Sequence, residues 1–193
     1  MVDFLNPPTD TGVQWSEMPT ALILVSAAAP LAVVLSAYAS EAPKPDVVPS
    51  VDLARYAGKW YEIARFPNRF QRNCAGDTTA TYTLRPDGKI TVLNACRTPE
   101  GRIKSSKGTA KVASKAGPTT KLKVTFFWPF YGDYWIIGLD PDYRWALVGG
   151  PDRKYLWILA REPVMDEAVY RRIVELAKSQ GYEVSWLIRT SHT

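Results

Sequence analysis

The sequence predicts an all-β fold, an antiparallel up-and-down β-barrel with one C-terminal α-helix packed against its outside. Short segments rich in Val, Ile, Thr, Tyr, Phe and Trp recur from Val51 onward. Turn residues such as Pro86-Asp87-Gly88 and Gly149-Gly150-Pro151-Asp152 separate these segments, which is the pattern of an antiparallel meander. Sequential hairpins close most simply into a barrel, and closure also removes the exposed strand edges that promote aggregation.

The first 39 residues differ in composition from the rest of the chain. Residues 18–40 carry no charge, and their apolar run ends in Ala37-Tyr38-Ala39, which predicts a signal peptide over residues 1–39. Only acidic side chains precede this run, so Met18 is an alternative start whose α-amine would supply the positive charge. An uncleaved anchor is the other interpretation, because roughly 20 apolar residues can span a bilayer. Pro30 and the small residues before Ser40 favour cleavage.

Residues 40–50 contain Pro43, Pro45 and Pro49 and are predicted to be a Pro-rich linker, because proline cannot pair inside a sheet. The barrel domain is then predicted over residues 51–193, a length that suffices for a single core.

Helical periodicity replaces the strand pattern after Pro163. Asp166 and Glu167 suit a first helical turn, and Gly181 is a stop signal. One stripe is apolar: Ala168, Val169, Ile173, Leu176 and Ala177. We expect an amphipathic helix against the barrel, followed by a last strand over residues 182–190.

The chain beyond residue 39 holds 24 basic and 16 acidic side chains, a formal net charge of +8. A basic surface suggests anionic partners such as phospholipid headgroups or lipopolysaccharide. The charges are scattered, however, which favours an ordinary solvated surface. No nucleic-acid-binding motif accompanies them, and no nucleic acid partner is predicted.

Cys74 and Cys96 are the only cysteines, and a disulfide between them is expected in an exported protein. A two-residue turn at Asp87-Gly88 would place Cys96 opposite Thr79 rather than Cys74. The bridge therefore requires a bulge or a bend of the chain before Asp77.

His192 is the only histidine and lies in a tail that we expect to be mobile. Catalysis by Ser/His or Cys/His pairs requires an imidazole held beside its nucleophile, and zinc sites require more His and Cys ligands than the chain offers. No catalytic residue, metal site or cofactor is predicted.

Three segments carry a family resemblance. Residues 56–65, with Gly58 and Trp60, resemble the opening motif of the lipocalins; residues 140–148, with Asp140 and Tyr143, resemble the second motif, and Arg161 falls where the third would lie. The amino-acid sequences of these segments are similar to those of the bacterial lipocalin and apolipoprotein D branch. The resemblance covers residues 51–191. It implies an eight-stranded β-barrel in which Trp60 closes the floor and Arg161 lies across the indole ring.

With Trp60 and Arg161 placed inside, strand alternation predicts which neighbouring side chains face the interior. In the first and last strands these are Glu62, Ala64, Phe66, Tyr155 and Trp157. The family's register extends the ligand-binding set to Ala80, Tyr82, Val92, Asn94, Val124, Phe126, Tyr134, Ile136, Ala146 and Val148. A mostly apolar set with a few polar groups is typical of a small-molecule cavity.

The resemblance implies a protein, not an enzyme, that binds and transports or stores lipids in the barrel cavity, as fatty acids or lysophospholipids of the bacterial cell envelope. Many bacterial relatives carry an acylated cysteine at the end of the signal, but the first cysteine here is Cys74. A soluble exported protein, periplasmic or associated with the outer membrane, is therefore expected. The alternatives are a thiol-dependent isomerase or oxidoreductase and a filled barrel that acts as an interaction scaffold.

A membrane surface and a second copy of the chain are further candidate partners. The loop Phe127-Trp128-Pro129-Phe130-Tyr131-Gly132 places four aromatic side chains near the barrel mouth. They would either contact acyl chains or a membrane interface, or pack over the rim as a lid.

Overall fold

The computed structural model describes residues 43–193 with the exception of Lys115. The predicted signal peptide, the alternative start at Met18 and the first residues of the linker lie outside the described residues. They stay predictions.

Eight antiparallel strands close into a barrel, because β1 pairs with both β2 and β8 and every other strand pairs with its neighbours in the chain. The predicted up-and-down topology is confirmed. A ninth, two-residue strand pairs with the outer half of β1. The strands are β1 Gly58–Arg65, β2 Gly76–Leu84, β3 Ile90–Arg97, β4 Ile103–Val112, β5 Lys121–Phe127, β6 Phe130–Leu139, β7 Trp145–Gly149, β8 Leu156–Ala160 and β9 Ile188–Arg189.

Two helices flank the barrel. The short α1 (Leu53–Tyr56) lies beneath one end, which we call the closed end, and α2 (Glu167–Ser179) packs outside. Asp166 caps α2 by accepting hydrogen bonds from the backbone of Ala168 and Val169. Thus the single outside helix is confirmed.

A glycine in the barrel wall lets α2 dock closely. A Cβ added at Gly138 would lie 2.8 Å from Cδ2 of Leu176 and 3.2 Å from Cβ of Leu147. Ile173 and Ala177 on the same helix face are buried. The helix is therefore held by an apolar stripe and by the absence of a side chain opposite it.

The strand expected over residues 182–190 is mostly not a strand. A 3₁₀ turn, Val184–Trp186, interrupts it, and only Ile188–Arg189 pairs. Glu183 caps the turn by accepting a hydrogen bond from the backbone of Ser185, which favours a turn over an extended chain.

Two apolar clusters occupy opposite faces of the sheet. The inner core fills the barrel and includes Trp60, Ala80, Tyr82, Ile90, Val92, Ala110, Leu122, Ile136, Ala146, Val148 and Leu159. The outer core lies between the barrel wall and α2 and includes Ile63, Ala64, Phe66, Trp135, Ile137, Leu147, Leu156, Ile158, Ala160, Ile173, Ala177 and Tyr182.

The described part of the predicted linker packs on the barrel instead of acting as a free spacer. The backbone N–H of Val48 donates to the carbonyl of Ile136 at 3.1 Å, and Arg153 donates to the carbonyl of Pro43. Val47 contacts the outer core and Val48 the inner core. Ordered contact with the barrel therefore begins before Val51.

Within residues 43–193, Lys115 apart, none of the helices combines the length and apolar character needed to cross a bilayer. The longest, α2, has 13 residues.

Candidate functional site

The floor of the barrel is built around Trp60 and Arg161. The guanidinium carbon of Arg161 lies 3.9 Å from the centroid of the Trp60 ring, a cation–π contact. Its N–H groups donate to the carbonyls of Lys59 at 2.9 Å and Arg55 at 2.7 Å. The indole N–H of Trp60 donates to the carbonyl of Tyr56 at 2.8 Å. Arg161 therefore ties α1 and the start of β1 together across the closed end.

Glycine is required at position 58 both by the backbone conformation and by the lack of room for a side chain. Its φ is +98°, a conformation that other residues rarely adopt, and a Cβ there would lie 3.2 Å from Nη1 of Arg161. The spacing between Gly58 and Trp60 thus lets the chain turn into β1 directly beneath the arginine.

The turn after β6 completes the closed end. The Asp140 carboxylate accepts hydrogen bonds from the backbone N–H groups of Asp142 and Arg144 and from the Arg144 guanidinium at 3.0 Å. These bonds, led by the guanidinium, lower the pKa of Asp140. The Tyr143 hydroxyl accepts from the backbone of Asp52 at 2.9 Å, and its carbonyl accepts from Arg161 at 3.3 Å. The turn is thereby bound to the start of α1.

Exposure of the inward side chains rises toward the opposite, open end. Trp60 and Ala146 are completely buried near the floor. By contrast, several other inward side chains are only partly buried: Asn94, Val124, Phe126, Tyr134 and Trp157. Strand pairing places most of the predicted ligand-binding set on this inner face: Glu62, Ala80, Tyr82, Val92, Asn94, Val124, Phe126, Tyr134, Ile136, Ala146, Val148 and Trp157. Tyr155 precedes β8 and stacks on Trp157 with ring centroids 5.7 Å apart.

The predicted inward orientation of Ala64 and Phe66 is wrong. The register between β1 and β8 shifts at Ile63, where one extra residue of β1 bulges from the ladder. Ile63, Ala64 and Phe66 consequently belong to the outer core, where Phe66 packs 5.7 Å from Trp186. Simple alternation fails here because a bulge reverses the strand's parity.

The same bulge pairs Arg65 with Trp157 and brings it beside Glu62. The guanidinium Nε lies 3.2 Å from Oε1 of Glu62. The carboxylate also accepts from the Thr190 hydroxyl at 2.6 Å and from the Gln71 amide. Burial raises the pKa of Glu62, although these bonds and the cation oppose the shift. Glu62 is therefore a satisfied structural carboxylate.

Gln71 links this carboxylate to the mouth. Its amide oxygen accepts from the indole N–H of Trp157 at 3.1 Å and from the amide of Asn68 at 2.7 Å. Sequence reasoning missed Arg65, Gln71 and Thr190, because a bulge and a loop without regular pattern position them. The one available signal was Trp157, because the indole N–H of an inward-facing tryptophan needs a hydrogen-bond acceptor nearby.

The C-terminal tail is ordered against the barrel, which corrects the expectation of mobility. The pairing of β1 with β2 ends at Tyr61 and Thr79. From there toward the open end the two strands separate, and residues 188–193 fill the gap between them. The backbone of Thr190 donates to Ile63 at 3.0 Å, and that of Asp77 donates to Ser191 at 2.8 Å.

His192 is part of this seam. Its Nε2 lies 2.8 Å from the carbonyl of Glu62, its ring packs edge-on against Tyr61, and its side chain is 7% exposed. Beside it, Asp77 accepts from Arg97 at 2.6 Å, and this bond lowers the pKa of Asp77 to about 2.

The disulfide between Cys74 and Cys96 is confirmed, and no free cysteine remains. The predicted hairpin register is wrong by one residue, since Thr79 pairs with Ala95. The turn is longer than two residues, because the backbone of Arg85 donates to the carbonyl of Lys89. An irregularity between Gly76 and Thr79 then lets the chain before β2 bend toward Cys96, as the sequence required.

Large aromatic side chains are exposed at the open end. Phe127, Trp128 and Phe130, around the turn between β5 and β6, are each about four-fifths exposed. Phe70, in the loop between β1 and β2, is 60% exposed and packs on Tyr155. Exposed cations lie at the same end, in its loops and at the start of β4: Arg69, Arg72, Arg102 and Lys104. The open end therefore combines apolar and cationic surface.

Among residues 43–193, excluding Lys115, no group of three or more His, Cys, Asp or Glu side chains is arranged to hold a metal ion.

Sequence comparisons agree with the geometry. Residues 51–192 match the model of the family described as lipocalin-like domain. Temperature-induced lipocalin-1 of Arabidopsis thaliana is 44% identical over 158 residues, covering 78% of this chain and 84% of the relative. Outer membrane lipoprotein Blc of Escherichia coli K12 is 44% identical over 171 residues, 86% of this chain and 95% of the relative. Apolipoprotein D of Mus musculus is 32% identical over 158 residues, 77% and 80% of the two chains.

Solved structures with similar folds include insecticyanin from the tobacco hornworm Manduca sexta. It superposes with a TM-score of 0.63 at 23% identity, over 79% of this chain and 86% of its own. The cockroach allergen Per a 4 superposes with a TM-score of 0.60 at 21% identity, over 78% and 96% of the two chains. At these identities the likeness concerns the fold alone.

Proposed function

Because the chain belongs to the lipocalin family, we propose that it binds a lipid of the fatty acid or lysophospholipid class inside the barrel and transports or stores it in the bacterial cell envelope. The observation that carries this proposal is the graded interior. Trp60 and Arg161 close the floor, whereas inward side chains such as Trp157 are partly exposed near the open end.

An apolar tail is the part of a lipid that this interior fits. Burying a methylene group contributes about 0.8 kcal/mol, offset by the cost of ordering the chain and immobilising the ligand. Val92, Val124 and Phe126 offer apolar surface for such a tail. Some ten buried carbons would contribute about 8 kcal/mol before these costs, which is the scale of micromolar binding.

The headgroup would lie among the cations of the open end. Arg69, Arg72 and Arg102 are exposed in two loops there, which suits a carboxylate or phosphate. The exposed Trp128 and its aromatic neighbours suit the interfacial region of a membrane from which a lipid could enter. A membrane surface is therefore proposed as a transient partner, and a second copy of the chain stays an untested prediction.

Export is proposed from two findings. The Cys74–Cys96 disulfide is typical of oxidising compartments. The Escherichia coli relative is named an outer membrane lipoprotein. We propose a periplasmic or outer-membrane-associated location.

The two alternatives are weaker. A thiol-dependent isomerase or oxidoreductase needs a free thiolate, and both cysteines are bonded to each other. A filled scaffold would need inward side chains that leave no space, and Tyr134 and Trp157 are only partly buried. Lipocalins are in general binding and transport proteins, and we propose no reaction.

Native mass spectrometry of the purified protein, followed by extraction, tests the proposal first. Co-purified lipid or saturable quenching of tryptophan fluorescence by oleate or lysophospholipid is expected. An empty protein that neither lipid quenches would contradict the carrier function and favour the scaffold.

Trp157→Glu is expected to weaken lipid binding at least tenfold with little change in the fold, because it places a charge among acyl-contacting side chains. Trp186→Glu, on the outside of the barrel, is the matched control. Unchanged lipid affinity in a folded Trp157→Glu variant would contradict the cavity assignment.

A further inference from the structure

Three tyrosine hydroxyls meet inside the barrel above its floor. The Tyr134 hydroxyl lies 2.7 Å from that of Tyr56 and 2.9 Å from that of Tyr82. Each hydroxyl has one proton to donate, so the two hydrogen bonds use two of the three protons. Whichever way the bonds run, one O–H group is left without an acceptor among the described residues.

The free O–H is best placed on Tyr134. Tyr56 and Tyr82 are 1% and 6% exposed, whereas Tyr134 is only partly buried. When both buried hydroxyls donate to Tyr134, its own proton is left free for a ligand. Burial raises the pKa of Tyr82 to about 12 and raises those of Tyr56 and Tyr134 well above their usual value. All three therefore remain neutral donors near pH 7.

A second polar group faces the interior without a partner. The buried side-chain oxygen of Asn94 accepts no hydrogen bond from the described part of the chain. Asn94 pairs with Ala80 across β2 and β3, while Tyr82 pairs with Val92. Asn94 and Tyr82 are thus diagonal neighbours on the inner face, a spacing of about 7–8 Å in Cα terms. One unpaired donor and one unpaired acceptor lie in the same region of the barrel.

We propose that the barrel recognises an apolar ligand that carries a hydroxyl group on the portion lying deep inside it. This inference rests on the lipid-binding function proposed above. A bare hydrocarbon tail would leave both the Tyr134 donor and the Asn94 acceptor unpaired, and buried unpaired groups are costly. A hydroxyl group can accept from the first or donate to the second.

Matched ligands test the proposal. Palmitic acid and its ω-hydroxy derivative, and oleic acid and ricinoleic acid, differ only by a hydroxyl on the chain. Each is titrated against the intact protein loaded with dansyl-labelled undecanoic acid, and displacement is read by fluorescence. An apolar cavity without partners would disfavour the hydroxyl. We expect instead that at least one hydroxylated acid binds about two- to tenfold tighter than its parent.

Phenylalanine variants identify the groups responsible. Tyr134→Phe alone leaves the Tyr56 and Tyr82 hydroxyls without their acceptor, so all three hydroxyls have to be removed together. The triple variant Tyr56→Phe/Tyr82→Phe/Tyr134→Phe removes every hydroxyl but keeps the rings, so the preference is expected to vanish there. Tyr131→Phe, on the same strand and at the mouth, is the matched control and is expected to keep the wild-type ratio.

The outcomes separate the two proposals. Parent acids that displace the probe, with hydroxylated acids no tighter in the wild type, would overturn the hydroxyl inference and leave lipid binding in place. A triple variant that keeps the preference would also overturn it. If none of the four acids displaces a saturably bound probe, or the probe itself does not bind, the lipid-binding proposal fails and the inference fails with it.

Discussion

The closed end of the barrel pairs its polar groups, whereas the open end exposes large apolar side chains. At the closed end the Arg161 guanidinium donates to backbone carbonyls of α1, β1 and the turn after β6, and it also stacks on Trp60. At the open end Phe127, Trp128 and Phe130 face solvent. The contrast indicates that stability is concentrated at one end, so that the other can present surface to a ligand or membrane.

The largest expected effect comes from removing the floor. Trp60→Ala deletes a completely buried ring and its hydrogen bond to Tyr56, and we expect a loss of about 3–5 kcal/mol in unfolding free energy. Trp128→Ala, at the open end, is the control and is expected to stay within about 0.5 kcal/mol of wild type. Urea denaturation followed by circular dichroism measures both. Equal losses in the two variants would abolish the distinction between the ends.

The Cys74–Cys96 disulfide lies toward the open end, yet we expect it to stabilise the fold. Cys74→Ser/Cys96→Ser opens a loop with a sequence separation of 22 residues, and we expect a loss of about 3 kcal/mol in the chain-entropy model. Reduction of the wild-type protein should lower its unfolding free energy, measured by urea denaturation, by the same amount. A double variant as stable as the oxidised wild type would show that the loop is held by other contacts.

Arg161→Ala is expected to cost about 2 kcal/mol, because it removes the cation–π contact and leaves several carbonyls without their donor. Arg172→Ala, exposed on α2, controls for the loss of a surface charge. Thermal melts at equal ionic strength compare them. If the two substitutions have equal effects, the guanidinium does not organise the closed end.

The smallest expected effect is a change in pH dependence at the seam beneath the C-terminal tail. Burial raises the pKa of Glu62, so the folded state takes up a proton above the unfolded pKa and stability falls as pH rises through this window. Arg97 lowers the pKa of Asp77 to about 2, so the contribution of Asp77 is present above its unfolded value and is lost as pH falls toward 2.

Glu62→Gln and Asp77→Asn separate these opposite slopes. Glu62→Gln should flatten the decline above the unfolded carboxyl pKa, and Asp77→Asn should flatten the acid limb only. Urea midpoints between pH 2 and pH 8 provide the test, with each variant as the other's control. A Glu62→Gln protein that keeps the wild-type slope above pH 4.5 would contradict the assignment to Glu62.

The barrel, the outside helix and the bond between Cys74 and Cys96 could be predicted because they depend on regular patterns and on turn residues. Ala64 and Phe66 could not be placed correctly, since the extra residue at Ile63 reverses the inward and outward alternation of the side chains. No residue type in this segment predicts such a bulge. The hairpin register was missed by one, because the Arg85–Lys89 turn is longer than the Asp87-Gly88 pair suggests.

The candidate site was predictable only as a set of inward positions. Tyr82, Asn94 and Tyr134 follow from the register of the family that the sequence resembles, but the contact of the Tyr134 hydroxyl with Tyr56 depends on where α1 ends beneath the barrel. The expectation that His192 lies in a mobile tail is wrong for a similar reason. Its contact with Glu62 joins the two ends of the folded domain, and local sequence contains no signal for it.

The tail that fills the gap between β1 and β2 also bears on how the chain folds. Thr190 reaches Glu62 across 128 residues, so this part of the wall can form only after nearly the whole domain has been synthesised. Contacts of such separation form slowly, because loop-closure entropy must be overcome first. Until then β1 keeps an unpaired edge in its outer half. We therefore expect the nascent barrel to depend longest on protection from aggregation at this edge, and its final closure to be a late kinetic event.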